Sequence, residues 1–215
     1  MKLYFVRHGE SEANIAGIFS NRDLKHPLTQ TGLEQARALA AQLKDDFARI
    51  YSSPIQRARQ TADILAQAWQ GPVEITSALR EWDVGIYEGR ADPQGWELHR
   101  QVQEDWFRHR KLDSRMPEGE SFLDMRARFV PFIATLLQAA SPESRPIVLV
   151  GHGGLYHAML PEILHNIDNS FVAQHPLTHT AHVIAETSPR GLVCREWNGI
   201  QFPQLPQSPD RLRDA

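Results

Sequence analysis

Two short apolar runs, each ending in a histidine beside a glycine, constrain the fold of this chain more than any other feature. LYFV (residues 3–6) is followed by RHG, and IVLV (residues 147–150) is followed by GHGG. Apolar runs without polar alternation are typical of strands that are covered on both faces, as in parallel sheets. Ligands of open α/β sheets bind beyond the carboxyl ends of the strands, so His8 and His152 should share one crevice if the two strands are neighbours.

The rest of the pattern alternates strands with helices and predicts an α/β fold. Residues 48–53 and 182–187 have the pattern of further strands, and residues 28–43 have that of a helix with Thr29 as its N-cap. Such alternation is typical of a three-layer α/β/α arrangement with helices on both faces of a mostly parallel central sheet.

The length of 215 residues fits one domain. We predict a core formed by residues 1–90 and 117–200, with a small helical cap insertion at about residues 91–116, where tryptophans occur among many charges. Residues 201–215 contain three prolines and are expected to form an irregular C-terminal strap.

A further helix is predicted to begin at Ser53, because serine is favoured at the N-cap and the proline that follows suits the first helical position. Arg57 would then lie in the first turn, where backbone N–H groups and the helix dipole favour anions. Arginine binds phosphate oxygens bidentately. Together with Arg7 and the two histidines, this helix start predicts a pocket for a doubly charged tetrahedral anion.

Charge and cysteine content limit the class of protein. A formal net charge of −3 argues against non-specific binding to nucleic acid, which needs a basic surface. The one cysteine, Cys194, allows no intrachain disulfide. The first apolar run is too short for a signal peptide, and no later run approaches the ~20 residues that span a bilayer. We therefore expect a cytoplasmic protein that binds neither nucleic acid nor membranes; a homodimer is left open.

Each of these features has an ordinary structural explanation when it is taken alone. A histidine at a strand end is more often structural, a helical arginine such as Arg57 is more often solvated, and Glu81 by itself would be a surface carboxylate. Their occurrence together is what indicates a chemical site.

Six motifs in a fixed order carry a resemblance to a known family. They are RHGESEAN (residues 7–14), PLTQTGLEQA (27–36), SSPIQRARQTA (52–62), LREWDVGIYEGR (79–90), PEGES (117–121) and VGHGG (150–154). Together they resemble the histidine phosphatase superfamily, the phosphoglycerate-mutase-like clan, over roughly the first three quarters of the chain. The resemblance implies a phosphoryl-transfer enzyme whose partner is a small phosphorylated substrate.

The resemblance also implies a role for each matching residue. His8 would be the nucleophile, and Glu81 would donate a proton to the leaving alcohol and then act as a base towards water. Arg7, Arg57 and His152 would clamp the phosphoryl oxygens, which is mainly an electrostatic task. The remaining predicted phosphate-binding residues are Asn14, Ser20 and Gly153, although the segment around Ser20 matches the family less closely.

No metal or other cofactor is needed in this scheme, and we predict none. His175, His179 and His182 would share one face of a helix, which suggests a zinc site. Pro176 and the strand-like pattern that follows it argue against a helix there.

The resemblance leaves the reaction open, because the family includes both phosphatases and mutases. Its glycolytic mutases carry a tryptophan immediately before the asparagine of the first motif, where this chain has Ala13. We therefore favour a phosphomonoesterase of small phosphorylated metabolites that works through a phosphohistidine on His8. A cofactor-dependent phosphoglycerate mutase is the alternative, and a non-catalytic phosphate-binding regulatory module is a second one.

Specificity is expected to depend on the cap segment, from Asp92 to Arg115, and on the C-terminal strap. Five cations of the cap segment could bind a second acidic group of the substrate. The alternative, which we favour for most of them, is that they form a solvated helix face. They are Arg100, Arg108, Arg110, Lys111 and Arg115. Trp82, next to Glu81, either forms a wall of the pocket or is simply packed in the core.

Overall fold

The two apolar runs of the sequence are neighbouring parallel strands near the middle of the sheet. The computed structural model describes residues 1–22, 26–141, 143–189 and 191–203. Within this part of the chain the strands are β1 (Lys2–Arg7), β2 (Arg49–Ser52), β3 (Val73–Ile75), β4 (Ile147–Gly151), β5 (His182–Ser188), β6 (Gly191–Trp197) and β7 (Ile200–Gln201). They form one sheet in the order β3-β2-β4-β1-β5-β6-β7.

The helices lie between these strands. They are α1 (Glu12–Ala16), α2 (Gln30–Gln42), α3 (Gln56–Trp69), α4 (Pro93–Phe107), α5 (Phe122–Gln138), α6 (Gly153–Ile163) and α7 (Asn169–Gln174), with 3-10 turns at Ser77–Leu79 and Gly85–Tyr87. The predicted N-cap of α2 is confirmed, because the Thr29 side chain accepts a hydrogen bond from the backbone N–H of Gly32 at 3.0 Å.

Strand direction divides the sheet into two halves. β3, β2, β4 and β1 are parallel, whereas β5, β6 and β7 are antiparallel to their neighbours. Val6 pairs with Val150, and the backbone N–H of His8 donates to the carbonyl of Gly151 at 3.0 Å. Both histidine motifs therefore emerge side by side at the carboxyl ends of β1 and β4, which confirms the predicted α/β fold with a mostly parallel centre.

Helices cover both faces of the sheet. On one face, apolar residues of α2 and α3, such as Leu39 and Leu65, pack against Val6 and Val150. On the other face, α5 and α6 pack against the opposite side of the same strands, where Phe129 and Tyr156 contact the ring of Phe5. Because side chains alternate across a strand, one apolar run can supply both cores.

Helix α3 begins later than the sequence predicts. Its N-cap is Ile55, not Ser53, and the cap makes no side-chain hydrogen bond. The Ser53 hydroxyl does accept from the backbone N–H of Ile55 at 3.3 Å, but it also contacts His152, and the chain turns into the helix two residues further on. Arg57 remains in the first turn, so the inference drawn from its position is unaffected.

Within the predicted cap segment the structure contains α4, which starts at its N-cap Asp92 and is anchored through buried Val102 and Trp106. The predicted C-terminal strap is described only as far as residue 203, and the rest of it lies outside the described residues. None of the helices in the described part of the chain combines the length and the apolar character that crossing a bilayer requires.

Candidate active site

A cavity of about 340 Å³ opens at the carboxyl ends of β1 and β4. Seven of the eight sequence-predicted site residues line it, namely Arg7, His8, Asn14, Ser20, Arg57, Glu81 and Gly153. The strand ends supply the first histidine motif, the first turn of α3 supplies Arg57, and the segment after β3 supplies Glu81. The predicted residues are thus brought together from segments far apart in the sequence.

His8 is held in one tautomer by its two hydrogen bonds. Its Nδ1 lies 2.6 Å from the carbonyl oxygen of Gly9, which can only accept, so Nδ1 carries the proton. Its Nε2 accepts from the Nε–H of Arg57 at 2.9 Å and therefore presents a lone pair. Burial lowers the pKa of His8 well below its usual value, and the nearby positive charges of Arg57 and Arg7 lower it further. The imidazole is neutral, and its unprotonated nitrogen lies at the cavity.

Arg57 connects four parts of the site. Besides His8, it donates to the carbonyl of Ser20 at 2.6 Å, to Asn21 Oδ1 at 3.5 Å and to Nδ1 of His152 at 3.3 Å. Burial lowers the pKa of Arg57 to about 10, and the negative charge of Glu81 partly opposes this shift. The guanidinium therefore remains positive at neutral pH.

The two Nη atoms of Arg7 are held by hydrogen bonds, whereas its Nε–H has no partner among the described residues. Its Nη1 donates to the carbonyl of Leu177 at 2.6 Å, and its Nη2 donates to Nε2 of His179 at 3.2 Å. Its Nε is buried and has no hydrogen-bond partner among the described residues. A Cβ atom at Gly153 would stand 3.1 Å from this Nε, so the glycine keeps that side of the guanidinium open. A buried N–H of this kind requires an acceptor, which an anionic ligand can supply.

His152 is the one predicted site residue that does not line the cavity. It is fully buried, its ring centroid lies 5.1 Å from that of His8, and its Nε2 donates to the Ser53 hydroxyl at 2.8 Å. Because Arg57 can only donate, Nδ1 of His152 is the acceptor in their contact. His152 thus contacts Arg57 through a hydrogen bond and packs edge-on against the ring of His8, so it helps to position both.

The carboxylate of Glu81 is held by two backbone N–H groups. Oε1 accepts from Trp82 at 3.0 Å, and Oε2 accepts from Gly154 at 2.8 Å. Burial raises the pKa of Glu81 above its usual value, although these two hydrogen bonds and the positive charges of Arg57 and Arg7 act in the opposite direction. A Cβ atom at Gly154 would lie only 2.8 to 3.0 Å from the carboxylate atoms, so only glycine permits this approach.

Asn14 and Ser20 also line the cavity. We call the part that contains Arg7, His8 and Arg57 the phosphate end, after the anion that the sequence predicts there. Oδ1 of Asn14 accepts from the backbone N–H and the hydroxyl of Ser11, at 3.1 and 2.8 Å, so its amide NH₂ is the group that can donate to a ligand. The Ser20 hydroxyl forms a hydrogen bond with Nδ1 of His26 at 2.8 Å. Its carbonyl holds Arg57, so the backbone of Ser20 also shapes the site.

Sequence reasoning missed His179, which it considered only as a metal ligand. In the structure its ring lies 6.1 Å from that of His8, and it accepts from Arg7. Burial lowers its pKa to about 4, with a further contribution from Arg7. No local sequence signal indicates this contact. It follows from the topology, because β5 runs antiparallel to β1 and the backbone N–H of Arg7 donates to the carbonyl of Ala181 at 3.0 Å, so residues just before β5 lie beside the end of β1.

The hydroxyl of Thr61 was also missed. It accepts from the backbone N–H of Gly9 at 3.1 Å and donates to the carbonyl of Arg57 at 2.8 Å, so it joins α3 to the first histidine motif. A threonine one helical turn after Arg57 is the only sequence signal for this contact.

The three histidines considered for zinc are separated in the structure. His175 stacks on Phe171 at 4.2 Å, whereas His182 lies on β5 with its Nε2 3.3 Å from Glu196. Within the described ranges no group of three or more histidine, cysteine, aspartate or glutamate residues is arranged to hold a metal ion.

Apart from the candidate site residues, the described lining of the cavity is largely aromatic and apolar. We call Phe19, Trp82, Trp96 and His99 the aromatic wall; all four line the cavity. Trp82 is only 1% exposed and also lines the cavity. It is therefore both packed in the core and part of the pocket wall, the two alternatives that the sequence left open. The cap cations Arg100, Arg108, Arg110, Lys111 and Arg115 are absent from the described lining.

Comparison with known proteins adds to this geometry. A family model described as "Histidine phosphatase superfamily (branch 1)" matches residues 3–200. The chain is 34% identical over 160 residues to a putative phosphoserine phosphatase 2 of Hydrogenobacter thermophilus, covering 74% of this chain and 76% of that protein. It is 35% identical over 170 residues to a probable phosphoglycerate mutase of Proteus mirabilis, covering 76% and 75%.

A solved structure is similar over nearly the whole chain. It is that of a mycobacterial glucosyl-3-phosphoglycerate phosphatase in complex with VO3, with a TM-score of 0.78 and 27% sequence identity. The match covers 93% of this chain and 99% of that one. Relatives of this chain are therefore named both as phosphatases and as a mutase.

Proposed function

Because the chain belongs to the histidine phosphatase superfamily (branch 1), we propose that it is a phosphomonoesterase that hydrolyses small phosphorylated metabolites through a phosphohistidine on His8. The observation that carries the proposal is the tautomer of His8. With Nδ1–H given to the carbonyl of Gly9, the lone pair of Nε2 is the nucleophile, and its neutral state needs no separate base.

In the first step, the phosphate group enters between Arg7 and Arg57. One phosphate oxygen accepts a hydrogen bond from the Nε–H of Arg7, which has no partner among the described residues. Another accepts from the Nε–H of Arg57, which then no longer donates to Nε2 of His8, so the lone pair of that nitrogen becomes available. His8 Nε2 then forms a bond to phosphorus, the phosphorus–oxygen bond to the leaving alcohol breaks, and that oxygen takes the proton of Glu81. The two guanidinium groups stabilise the charge on the transferring phosphoryl group.

In the second step, water attacks the phosphorus atom and gives its proton to the Glu81 carboxylate. The phosphorus–nitrogen bond breaks, its electron pair returns to His8, and orthophosphate leaves. We assign His152 to the phosphate clamp through its contact with Arg57, and Asn14, Ser20 and Gly153 to the rim that receives the remaining oxygens. The scheme uses no metal.

The mutase alternative needs a second binding place for an anionic group, because the substrates of a phosphoglycerate mutase carry a carboxylate besides their phosphates. Outside Arg7 and Arg57, the described lining of the cavity holds no lysine or arginine. This supports hydrolysis over isomerisation. The intact set of candidate site residues in turn supports an enzyme over a non-catalytic phosphate-binding module.

The proposal is tested by trapping the phosphoenzyme. Para-nitrophenyl phosphate carrying labelled phosphorus is mixed with excess enzyme and quenched within milliseconds in alkaline detergent, with and without prior EDTA treatment. We expect a label on His8 that survives alkali and is lost in acid, and that EDTA does not diminish. His109→Ala, an exposed histidine of the cap segment, should label like the wild type.

Turnover without any labelled protein, or a label that persists in His8→Ala, would contradict the proposal. For the mutase alternative, 3-phosphoglycerate is supplied together with 2,3-bisphosphoglycerate. We expect release of inorganic phosphate to exceed formation of 2-phosphoglycerate, and the reverse order would favour the mutase.

A further inference from the structure

The rings of the aromatic wall contact one another in series, and one of them, Trp82, directly follows Glu81 in the chain and donates its backbone N–H to the Glu81 carboxylate. The ring centroids of Phe19 and Trp96 are 4.1 Å apart, and those of Trp82 and His99 are 4.6 Å apart. Phe19 and His99 join the two pairs at 5.4 Å with an angle of 30° between their planes. Trp96 is fixed further, because its Nε1–H donates to the carbonyl of Gly17 at 2.9 Å.

Two members of the wall keep surface open to a ligand. Phe19 and Trp82 are almost fully buried, whereas Trp96 and His99 are partly exposed on the cavity side of α4. Burial lowers the pKa of His99 to about 4, with a smaller contribution from Arg100. At neutral pH His99 is therefore an uncharged, flat ring.

The charged side chains that the described part of the chain contributes to the cavity all lie at its phosphate end. Among the described residues that line it, the charged ones are Arg7, Arg57 and Glu81. A second negative charge on the substrate would enter the aromatic part without a cation to compensate its desolvation, which is unfavourable. An uncharged apolar group would instead exchange water for ring contacts, which is favourable.

Four of the five cap cations form ion pairs with acidic side chains on the surface, and the fifth, Arg110, is exposed. Arg100 forms an ion pair with Glu97. Three further ion pairs have nitrogen–oxygen distances of 2.9, 3.1 and 3.1 Å; they are Arg108–Glu104, Lys111–Asp105 and Arg115–Asp124. All four cations are exposed. The geometry therefore supports a solvated surface rather than a second acid-binding site, although only Arg100 lies within α4, so the predicted helix face is a helix end and the loop that follows it.

Resting on the proposed function, we propose that the preferred substrate is a phosphomonoester of an uncharged alcohol with a flat apolar face, such as an aromatic ring, that lies against Trp96 and His99. The leaving-group oxygen would point towards Glu81, and the ring would extend along α4 towards Gln103. The aromatic wall thus selects the alcohol, while the phosphate end performs the same chemistry on every ester.

The test compares three esters of primary alcohols, because their leaving oxygens are chemically alike. They are 2-phenylethyl phosphate, propyl phosphate and the phosphate ester of 3-hydroxypropanoate. We expect kcat/KM for the phenyl compound to exceed that for the propyl compound about 10-fold, as one ring contact of this kind allows, and the carboxylate compound to be the poorest. A carboxylate compound equal to or better than the phenyl compound would overturn the proposal.

Variants locate the preference on the wall. Trp96→Ala should lower the ratio of kcat/KM between the phenyl and propyl compounds about 10-fold, and Trp96→Leu serves if the alanine variant does not fold. Gln103→Arg should raise the relative rate of the carboxylate compound, because it supplies the missing cation. Gln101→Ala, on the exposed face of the same helix, should leave all ratios unchanged. An unchanged ratio in both Trp96 variants would contradict the proposal.

The experiment separates the two proposals. If the wild type hydrolyses none of the three esters, or if His8→Ala hydrolyses them equally well, the proposed function itself fails. If all three are hydrolysed in a His8-dependent manner but in the wrong order, only the substrate class is wrong.

Discussion

At the phosphate end of the cavity each reactive group is held by directional hydrogen bonds, whereas at the aromatic wall the rings are held mainly by packing. His8, Arg57 and Glu81 each have two or more polar partners at fixed distances. The ring centroid of His99 lies 5.4 Å from that of Phe19 and 4.6 Å from that of Trp82, and Trp96 adds one indole hydrogen bond.

This difference suggests that the phosphate end carries out the reaction and that the aromatic wall selects the substrate. Hydrogen bonds fix the direction of a lone pair or a proton, which bond-making steps require, whereas apolar packing fixes only shape. Substitutions at the phosphate end should therefore affect the rate with every substrate. Substitutions at the aromatic wall should change only the ranking of substrates.

Removal of the nucleophile should abolish the reaction for every ester. For His8→Ala we expect kcat to fall by ~10⁴-fold or more, with both aryl and alkyl phosphates, because the group that forms the covalent intermediate is removed. Steady-state release of inorganic phosphate measures this. His109→Ala is the matched control, and retention of even a tenth of the activity by His8→Ala would remove the distinction between the two ends.

Glu81→Gln should separate substrates by their leaving oxygen rather than by their apolar face. We expect a loss of ~10³-fold in kcat/KM with propyl phosphate, since general acid catalysis typically contributes ~10²–10⁴-fold. The loss should be much smaller with para-nitrophenyl phosphate, whose leaving oxygen needs no proton. Equal losses with both substrates would show that Glu81 is not the proton donor.

The dependence of kcat/KM on pH should also report the protonation state of Glu81. The neutral form of His8 persists below pH 6.5 because its pKa is lowered, and the protonated form of Glu81 persists above pH 4.5 because its pKa is raised. We therefore expect kcat/KM with propyl phosphate to be greatest on the acidic side of neutrality and to fall as Glu81 loses its proton. This alkaline fall should weaken in Glu81→Gln, and a profile identical to the wild type would contradict the assignment.

Arg57→Lys tests whether geometry or charge alone is needed at the phosphate end. A lysine keeps the positive charge but cannot contact His8, Ser20 and His152 together. We expect kcat to fall ~10²-fold with all three esters of the substrate test, without a change in their ranking. Arg59→Lys, an exposed position on the same helix, is the control. A change in ranking would mean that the two ends are not independent.

Gly154→Ala should give the smallest of these effects and the most specific. The added Cβ would displace the Glu81 carboxylate, so the variant should behave as a weaker form of Glu81→Gln, with ~10-fold loss on propyl phosphate and little on para-nitrophenyl phosphate. Combined with Glu81→Gln it should add almost nothing, because both act on one group. Additive losses would assign Gly154 a role other than positioning Glu81.

Much of the phosphate end could be predicted from the sequence. Apolar runs identify the strands, and strand direction places His8 and His152 at one edge of the sheet. The N-terminal turn of α3 brings Arg57 to an anion, and this expectation survived an error of two residues in the predicted N-cap. The aromatic wall was harder, because the same sequence segment contains tryptophans and arginines, and a pattern does not say which of them face the cavity.

The sequence alone therefore determined the alternation of strands and helices and the position of each histidine motif at the carboxyl end of its strand, since both follow from apolar periodicity and chain direction. That the two strands are neighbours was decided by the tertiary structure. Only the tertiary structure decided which distant partners complete the site. Glu81 and Gly154 are 73 positions apart, and Arg7 and His179 are 172 apart. Contacts of this kind depend on how several elements pack together, and local preferences carry no information about them.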